Sequence, residues 1–178
     1  MTITPPEAAA SRPLILLDVD GVLNPWYRPG PEWEVHEAIG HDMTYRVVLN
    51  PAHGPMLLEL AHDTGSALVW ATTWVELANR EIGPRIGLPE LPVIPVNVGR
   101  EVPGVGHKTP QVAEYVAGRP FVWFDDDLTR SDTKFLKGHD GVGSFRIIQV
   151  GPRQGLNDRH LRQAAAWFAS LSENGTPS

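Results

Sequence analysis

Near the amino terminus stands Leu14-Ile15-Leu16-Leu17-Asp18-Val19-Asp20-Gly21, four apolar residues followed by two carboxylates and a glycine. A short apolar run without polar alternation is typical of a strand that is buried on both faces of a parallel sheet. In open α/β sheets, ligands bind beyond the carboxyl ends of the strands, and Asp18 and Asp20 fall at such an end. The stretch therefore predicts a first parallel strand that carries acidic side chains into a site.

Similar apolar runs recur along the chain, with helical patterns between them. The further runs cover residues 67–70, 93–96, 121–124 and 145–150, and Pro95 restricts the second of these to a sheet edge. Apolar residues at helical spacing occur over residues 55–63, 75–82, 110–117 and 158–171. This alternation predicts an α/β fold with a doubly wound, Rossmann-like, five-stranded parallel sheet.

One segment interrupts the alternation of strands and helices. Residues 25–50 contain several Pro and Gly, followed by two partly alternating runs on either side of a turn-like Gly40-His41-Asp42. The pattern predicts a β-hairpin inserted directly after the first strand. We expect a single domain over residues 13–172 with this hairpin as a flap or cap, a disordered lead-in over residues 1–12 and a flexible tail over residues 173–178.

The composition excludes several kinds of site. The 178 residues include no Cys, which rules out disulfides, thiolate catalysis and Cys-ligated zinc. The net charge of −6 argues against a broad nucleic-acid-binding surface, although a single phosphate needs only a local pocket. No apolar run approaches the ~20 residues of a membrane span, and the amino terminus lacks a signal-peptide pattern. We therefore expect a cytoplasmic protein without a membrane partner.

Three further polar elements follow apolar runs or precede a helix. Thr72 and Thr73 follow the apolar run at residues 67–70, where a hydroxyl can bond a phosphate or cap a helix. Lys108 precedes a predicted helix, and helix N-termini are places where anions bind. The run Asp125-Asp126-Asp127 follows the fourth apolar stretch, and adjacent carboxylates repel one another unless a cation compensates. Each element alone also has a structural explanation: residues 18–21 as a turn, the threonines as a helix cap, Lys108 as an exposed lysine and the three aspartates as a solvated acidic loop.

In this order and spacing, the four elements together resemble the haloacid dehalogenase-like (HAD) superfamily, in its phosphatase-type form with an Asp-x-Asp-Gly motif and a small cap. The resemblance implies that Asp18 is a nucleophile that forms an aspartyl-phosphate, and that Asp20 is the general acid/base. Thr72, with Thr73 as the alternative, matches the phosphate-binding hydroxyl. Lys108 matches the cation that holds both the nucleophile and the phosphate.

The same resemblance implies Mg²⁺ as the cofactor, with ligands from Asp18, the backbone carbonyl of Asp20, Asp126 and, directly or through a metal-bound water, Asp125. Dehalogenases of the superfamily lack the second Asp of the motif, whereas its phosphatases and phosphotransferases have it. We therefore expect a phosphomonoester hydrolase acting on a phosphorylated small molecule. The alternatives are a phosphatase or phosphotransferase that processes nucleic-acid ends, and a catalytically silent module that binds a metal or a partner.

Aromatic residues of the predicted hairpin are the last candidates for contact with a substrate. Trp26, Tyr27, Trp33 and Tyr45 lie within the insert, and Trp26 and Trp33 are the two that we assign to substrate binding. Such rings can stack on a base or sugar, or form the hairpin's own small core. Because loops over a rigid scaffold commonly carry specificity, we expect the insert to select substrates without carrying the chemistry.

Overall fold

The computed structural model describes residues 11–99 and 101–174. Residues 1–10 of the predicted lead-in (residues 1–12) and residues 175–178 of the predicted tail (residues 173–178) lie outside these ranges. Among the helices of the described ranges, none is both long enough and apolar enough to cross a membrane.

The described chain alternates strands with helices. The strands are β1 (Leu14–Leu17), β2 (Glu34–Ile39), β3 (Thr44–Leu49), β4 (Ala67–Trp70), β5 (Phe121–Asp125) and β6 (Phe145–Gln149). The α-helices are α1 (His53–Thr64), α2 (Gly83–Ile86), α3 (Thr109–Val116), α4 (Arg130–Lys137) and α5 (Asp158–Asn174). A π-helical turn over Ala78–Ile82 leads directly into α2.

The main sheet has four parallel strands in the order β4-β1-β5-β6, so β1 lies in its interior. The predicted strand over residues 93–96 is reduced to a single bridge between Val93 and Trp70. Pro92 and Pro95 flank that bridge and have no N–H group, so a longer ladder would lack donors. The predicted α/β class with a parallel sheet is confirmed, whereas the predicted count of five strands is not.

Helices cover both faces of this sheet. Successive side chains of a strand point to opposite faces. Ile15 and Leu17 accordingly enter a core that includes residues of α1 and α5, whereas Leu14 and Leu16 enter a core that includes residues of α3 and α4. Because both faces of β1 are buried, its sequence is apolar at every position, as a doubly wound arrangement requires.

The predicted hairpin is present as a separate antiparallel pair, in which β2 and β3 pair along their whole lengths around a turn at residues 40–43. The π-helical turn and α2 hold this pair in place. The buried carboxylate of Glu81 accepts a hydrogen bond from the Ile39 N–H at 3.1 Å. Two guanidinium groups of the same segment, Arg80 and Arg85, donate to backbone carbonyls of β2.

Helix α4 is not predicted by apolar spacing, because most of its residues are polar. Its first turn is fixed by a capping box, in which the Thr129 side chain accepts from the Ser131 N–H and the Asp132 carboxylate accepts from the Thr129 N–H. A Thr-x-x-acid pattern of this kind is a sequence signal for a helix start.

Candidate active site

The loop after β1 is shaped by a glycine. The Asp18 N–H donates to the Phe124 carbonyl at 3.1 Å, which extends the β1–β5 ladder to the first acidic residue. Gly21 has a φ of +76°, and a Cβ at this position would lie 2.2 Å from a carboxylate oxygen of Asp126. Glycine is therefore required both for the backbone conformation and for the space that Asp126 occupies.

Three carboxylates meet where β1 and β5 end. Asp18, Asp125 and Asp126 each offer an oxygen, and these oxygens lie within 4.8 Å of one another. Asp18 is only 6% exposed, Asp125 is fully buried and Asp126 is half-buried. All-oxygen ligands are what Mg²⁺ prefers, and ligand atoms about 2.0–2.1 Å from one ion fall within such a spacing. The donor set therefore fits a hard divalent cation.

Lys108 lies between two of these carboxylates. Its Nζ is 2.6 Å from Asp18 Oδ2 and 2.5 Å from Asp125 Oδ2. Burial alone would lower the pKa of Lys108, but Asp18 and Asp125 raise it above its ordinary value, so the side chain is a cation. One lysine against three carboxylates leaves the cluster with an excess of negative charge, which favours a further cation.

The carboxyl pKa values reflect burial first and that excess charge second. Burial is the main cause that raises the pKa of Asp18 to about 7, with Lys108 opposing the rise and Asp125 adding to it. Burial, followed by the charge of Asp125, also raises the pKa of Asp126. Carboxyl groups with raised pKa values that share one cluster are typical of a functional site.

The carboxylate of Asp20 is exposed and is held by two other side chains. Its Oδ2 accepts a hydrogen bond from the Trp74 indole N–H at 2.8 Å, and its Oδ1 accepts one from the Asn24 amide at 2.8 Å. Asn24 in turn accepts the Val48 N–H of β3 at 2.8 Å. The position of Asp20 is therefore fixed jointly by the loop after β1, the segment after β4 and the hairpin.

A pocket of about 160 Å³ lies in front of Asp20. The Tyr45 ring packs edge-on against Trp74 with the ring centroids 5.6 Å apart, and its hydroxyl donates to Asp42. The hairpin therefore forms one wall of the pocket, and the segment after β4 forms the other. The lining residues are Asp20, Gly40, His41, Asp42, Tyr45, Thr73, Trp74 and Leu77.

The two threonines after β4 occupy different environments. Thr72 is fully buried, and its hydroxyl oxygen accepts the Trp74 N–H at 3.3 Å. Thr73 is exposed and lines the pocket in front of Asp20. The Ala71 N–H donates to the Leu17 carbonyl, which brings this segment beside the loop of Asp18. Thr72 and Thr73 both remain candidates for binding a phosphate.

The aromatic residues of the insert differ in how far they are exposed. Trp33 is 3% exposed, and its ring packs edge-on against the buried His53 with the centroids 5.0 Å apart. It lies outside the pocket in front of Asp20 and belongs to the packing between the insert and α1. Trp26, in contrast, is 65% exposed.

Comparison with known proteins agrees with this geometry. A family model described as the HAD domain in Swiss Army Knife RNA repair proteins matches residues 14–161, from β1 into the first turn of α5. The chain belongs to this HAD family. No curated protein and no solved structure matches it. The matched range includes every candidate site residue named above, and it confirms the resemblance recognised in the sequence.

One buried residue of this HAD domain was not predicted from the sequence to serve the site. The Asp132 carboxylate accepts hydrogen bonds from the Gly106 N–H at 2.7 Å, the Thr109 hydroxyl at 2.6 Å, and the N–H and hydroxyl of Thr129. Burial alone would raise the pKa of Asp132, but these hydrogen bonds hold it below its ordinary value. Because Gly106 and Thr109 flank Lys108, Asp132 fixes the loop that presents the lysine.

We expect Asp132→Asn to lower kcat/KM by about 10- to 100-fold, because even a small displacement of Lys108 would slow the reaction. The inhibition constant for inorganic phosphate should rise in parallel, since the family resemblance assigns phosphate binding to Lys108, which this substitution would displace. Kinetics well below the melting temperature separate this effect from loss of folded protein. The matched control is Asp140→Asn, which removes the same charge from an exposed loop. An unchanged phosphate inhibition constant in Asp132→Asn would limit Asp132 to a structural role.

The pKa values also predict how Mg²⁺ binding depends on pH. A carboxylate must lose its proton to bind a metal. Since the pKa of Asp18 is raised to about 7, Mg²⁺ must displace a proton below that pH and none above it. We expect the affinity measured by calorimetry to weaken about tenfold per pH unit as pH falls below 7, and to level off above it. Asp18→Asn should remove most of this dependence, and an affinity that is flat from pH 5.5 to 8 would contradict the prediction.

Proposed function

We propose that the chain is a Mg²⁺-dependent phosphatase that removes the phosphate from an RNA end through an aspartyl-phosphate at Asp18. The observation that carries the reaction is the buried cluster in which Lys108 bridges Asp18 and Asp125 beside Asp126. The family description, which names RNA repair, favours a nucleic-acid end over the small phosphorylated metabolite that we first expected from the sequence.

In the first step, a carboxylate oxygen of Asp18 attacks phosphorus, and the bond from phosphorus to the ester oxygen breaks. Asp20 donates its proton to that leaving oxygen. Lys108, a cation 2.6 Å from Asp18, offsets negative charge on the nucleophile and on the phosphoryl oxygens. A hydroxyl from Thr72 or Thr73 would hold one of those oxygens. Positioning and electrostatics are expected to supply most of the acceleration, as in other phosphoryl transfers.

In the second step, Asp20 takes a proton from a water molecule, which attacks the phosphorus of the aspartyl-phosphate. The bond between phosphorus and the Asp18 oxygen breaks, and this releases inorganic phosphate and restores both carboxyl groups. Asp18, Asp125, Asp126 and the backbone carbonyl of Asp20 would hold Mg²⁺, which would supply positive charge beside the phosphoryl group. The division of roles is supported by the separate surroundings of Asp18, in the cluster, and Asp20, at the pocket.

The test is phosphate release by the purified protein with Mg²⁺ and, in parallel, with EDTA. The substrates are oligoribonucleotides with a 3′-phosphate or a 5′-phosphate, the matching oligodeoxyribonucleotides, a set of phosphorylated metabolites, and p-nitrophenyl phosphate. We expect Mg²⁺-dependent release with the highest kcat/KM on an RNA end. A preference for one metabolite would restore the small-molecule alternative. Binding of Mg²⁺ and RNA without release from any substrate would support the catalytically silent module.

The hairpin is proposed to act as a flap that sets specificity. Tyr45→Ala removes a ring that lines the pocket without touching the carboxylate cluster. We expect its kcat/KM to fall about tenfold more on the preferred substrate than on p-nitrophenyl phosphate, because only the larger substrate meets the flap. Trp33→Ala is the structural comparison, since loss of a buried Trp should cost about 3–5 kcal/mol of stability. If Tyr45→Ala lowered kcat/KM equally on all substrates and also lowered the melting temperature, Tyr45 would only stabilise the hairpin and would not set specificity.

A further inference from the structure

An exposed patch of aromatic and basic side chains lies outside the pocket in front of Asp20. Trp26 is 65% exposed and Tyr27 is 59% exposed. The Arg153 guanidinium lies over the Tyr27 ring, 5.6 Å from its centroid. Among the described residues, Trp26 is the most exposed of the large apolar side chains. Rings that are left in water beside a cation point to a binding surface.

Short stretches of chain and hydrogen bonds connect the patch to Asp125 on one side and to Asp20 on the other. The Trp26 N–H donates to the Pro152 carbonyl at 2.7 Å, and the Val150 N–H donates to the Asp125 carbonyl at 3.0 Å. On the other side, Asn24 holds the carboxylate of Asp20. Because two residues span at most about 7 Å, the backbone of Trp26 lies close to Asn24, which bonds the Asp20 carboxylate, and Pro152 lies close to Val150, which bonds the Asp125 backbone. A ligand bound at the carboxylate cluster would therefore extend onto the patch.

We propose that Trp26, Tyr27 and Arg153 form a stacking platform for nucleotides next to the phosphorylated end of a single-stranded RNA. The rings would stack on bases, and Arg153 would pair with a backbone phosphate. The proposal rests on the proposed function for its placement of the terminal phosphate at Asp18. Stacking of this kind tolerates any base, because every base has a π-face.

The charge distribution favours a short single strand over other polyanions. The chain carries a net charge of −6, so electrostatic attraction is confined to local basic groups such as Arg153 and Arg28, which follows Tyr27 in the chain. A footprint of a few nucleotides is consistent with that limit, whereas a duplex would need a longer basic surface. A phosphopeptide offers a terminal phosphate as well, but it lacks the succession of flat rings that matches Trp26 and Tyr27.

The experiment compares Trp26→Ala, Tyr27→Ala and Arg153→Gln with wild type. The substrates are a short single-stranded oligoriboadenylate with a 3′-phosphate, the same strand with a 5′-phosphate, a phosphopeptide and p-nitrophenyl phosphate. Either ring-removing substitution should lower kcat/KM on the favoured oligonucleotide at least about fivefold more than on p-nitrophenyl phosphate. Trp26→Phe should restore most of the loss. Arg153→Gln should reduce the slope of log affinity against log salt by about 0.7.

Two substitutions outside the patch serve as controls. Leu58→Ala removes an exposed apolar side chain of α1, and Lys137→Gln removes a positive charge at the end of α4. Neither should change the ratio of the two kcat/KM values. Melting temperatures of all variants are measured, so that a folding defect is not counted as lost binding.

A binding assay with a fluorescent oligonucleotide separates this proposal from the proposed function. If wild type releases phosphate but the platform variants lose activity equally on RNA and p-nitrophenyl phosphate, the platform is overturned and the phosphatase stands. If no substrate is hydrolysed but Trp26→Ala still weakens RNA binding at least about fivefold, the platform stands and the proposed function fails. If Trp26→Ala impairs only the phosphopeptide, the platform is overturned as an RNA site.

Discussion

Asp18→Asn is expected to reduce phosphate release by at least about four orders of magnitude, because an amide cannot attack phosphorus. The fold should survive the change. Asp18 Oδ1 accepts the Val19 N–H, which an Asn side chain can also do, and Lys108 keeps its contact with Asp125. Burial of Asp18 already disfavours its charge, so the neutral amide should not lower the melting temperature of the metal-free protein.

The measurement is phosphate release with matched circular dichroism. Asp127→Asn is the control, because it removes a neighbouring exposed carboxylate outside the cluster of Asp18, Asp125 and Asp126. This control should retain near-normal turnover. A folded Asp18→Asn protein with near-normal turnover would rule out the covalent mechanism.

Asp20→Asn is expected to slow turnover by about a hundred- to ten-thousand-fold, because both steps lose their proton donor or acceptor. Its carboxylate is bonded to Trp74 and Asn24 and is not among the clustered oxygens. Mg²⁺ affinity should therefore be retained. Loss of Mg²⁺ binding in Asp20→Asn would show that the two roles are not divided as proposed.

The leaving group provides a sharper test of Asp20. p-Nitrophenolate leaves without a proton, so Asp20→Asn should impair the first step far less on p-nitrophenyl phosphate than on an RNA end. The variant should then show a burst of nitrophenol followed by slow release of phosphate. Equal impairment of the first step on both substrates would argue against a general acid at this position.

The sequence predicts the parts of the fold in which local pattern and tertiary environment agree. The apolar runs at β1, β4 and β5 match strands that contribute to the cores on both faces of the sheet, and the run at residues 145–150 matches the partly exposed edge strand β6. The run at residues 93–96 is also mostly apolar, but Pro92 and Pro95 limit it to one bridge. Helix α4 was missed because its start is marked by the Thr129–Asp132 capping box and not by apolar spacing.

The residues of the candidate active site likewise divide into those that the sequence predicts and those that only tertiary packing brings there. Asp18, Lys108 and Asp126 could be expected to meet, because parallel strands bring their carboxyl ends to one edge of the sheet. Asp132 could not be expected there, because its partners Gly106 and Thr109 lie 26 and 23 residues away along the chain. The burial of one aromatic residue and the exposure of another, as with Trp33 and Trp26, depend equally on tertiary packing that periodicity does not reveal.

Chemical trapping of the covalent intermediate is the most direct measurement of the central claim. The protein is mixed with a phosphorylated substrate and Mg²⁺, quenched in acid during turnover and treated with borohydride, which reduces an acyl phosphate to an alcohol. Peptide mass spectrometry should then find homoserine in place of aspartate at position 18. With p-nitrophenyl phosphate as the substrate, Asp20→Asn should increase its yield, because only the second step is then slowed strongly. Turnover with aspartate intact at position 18, or with the phosphate on another side chain, would contradict the account.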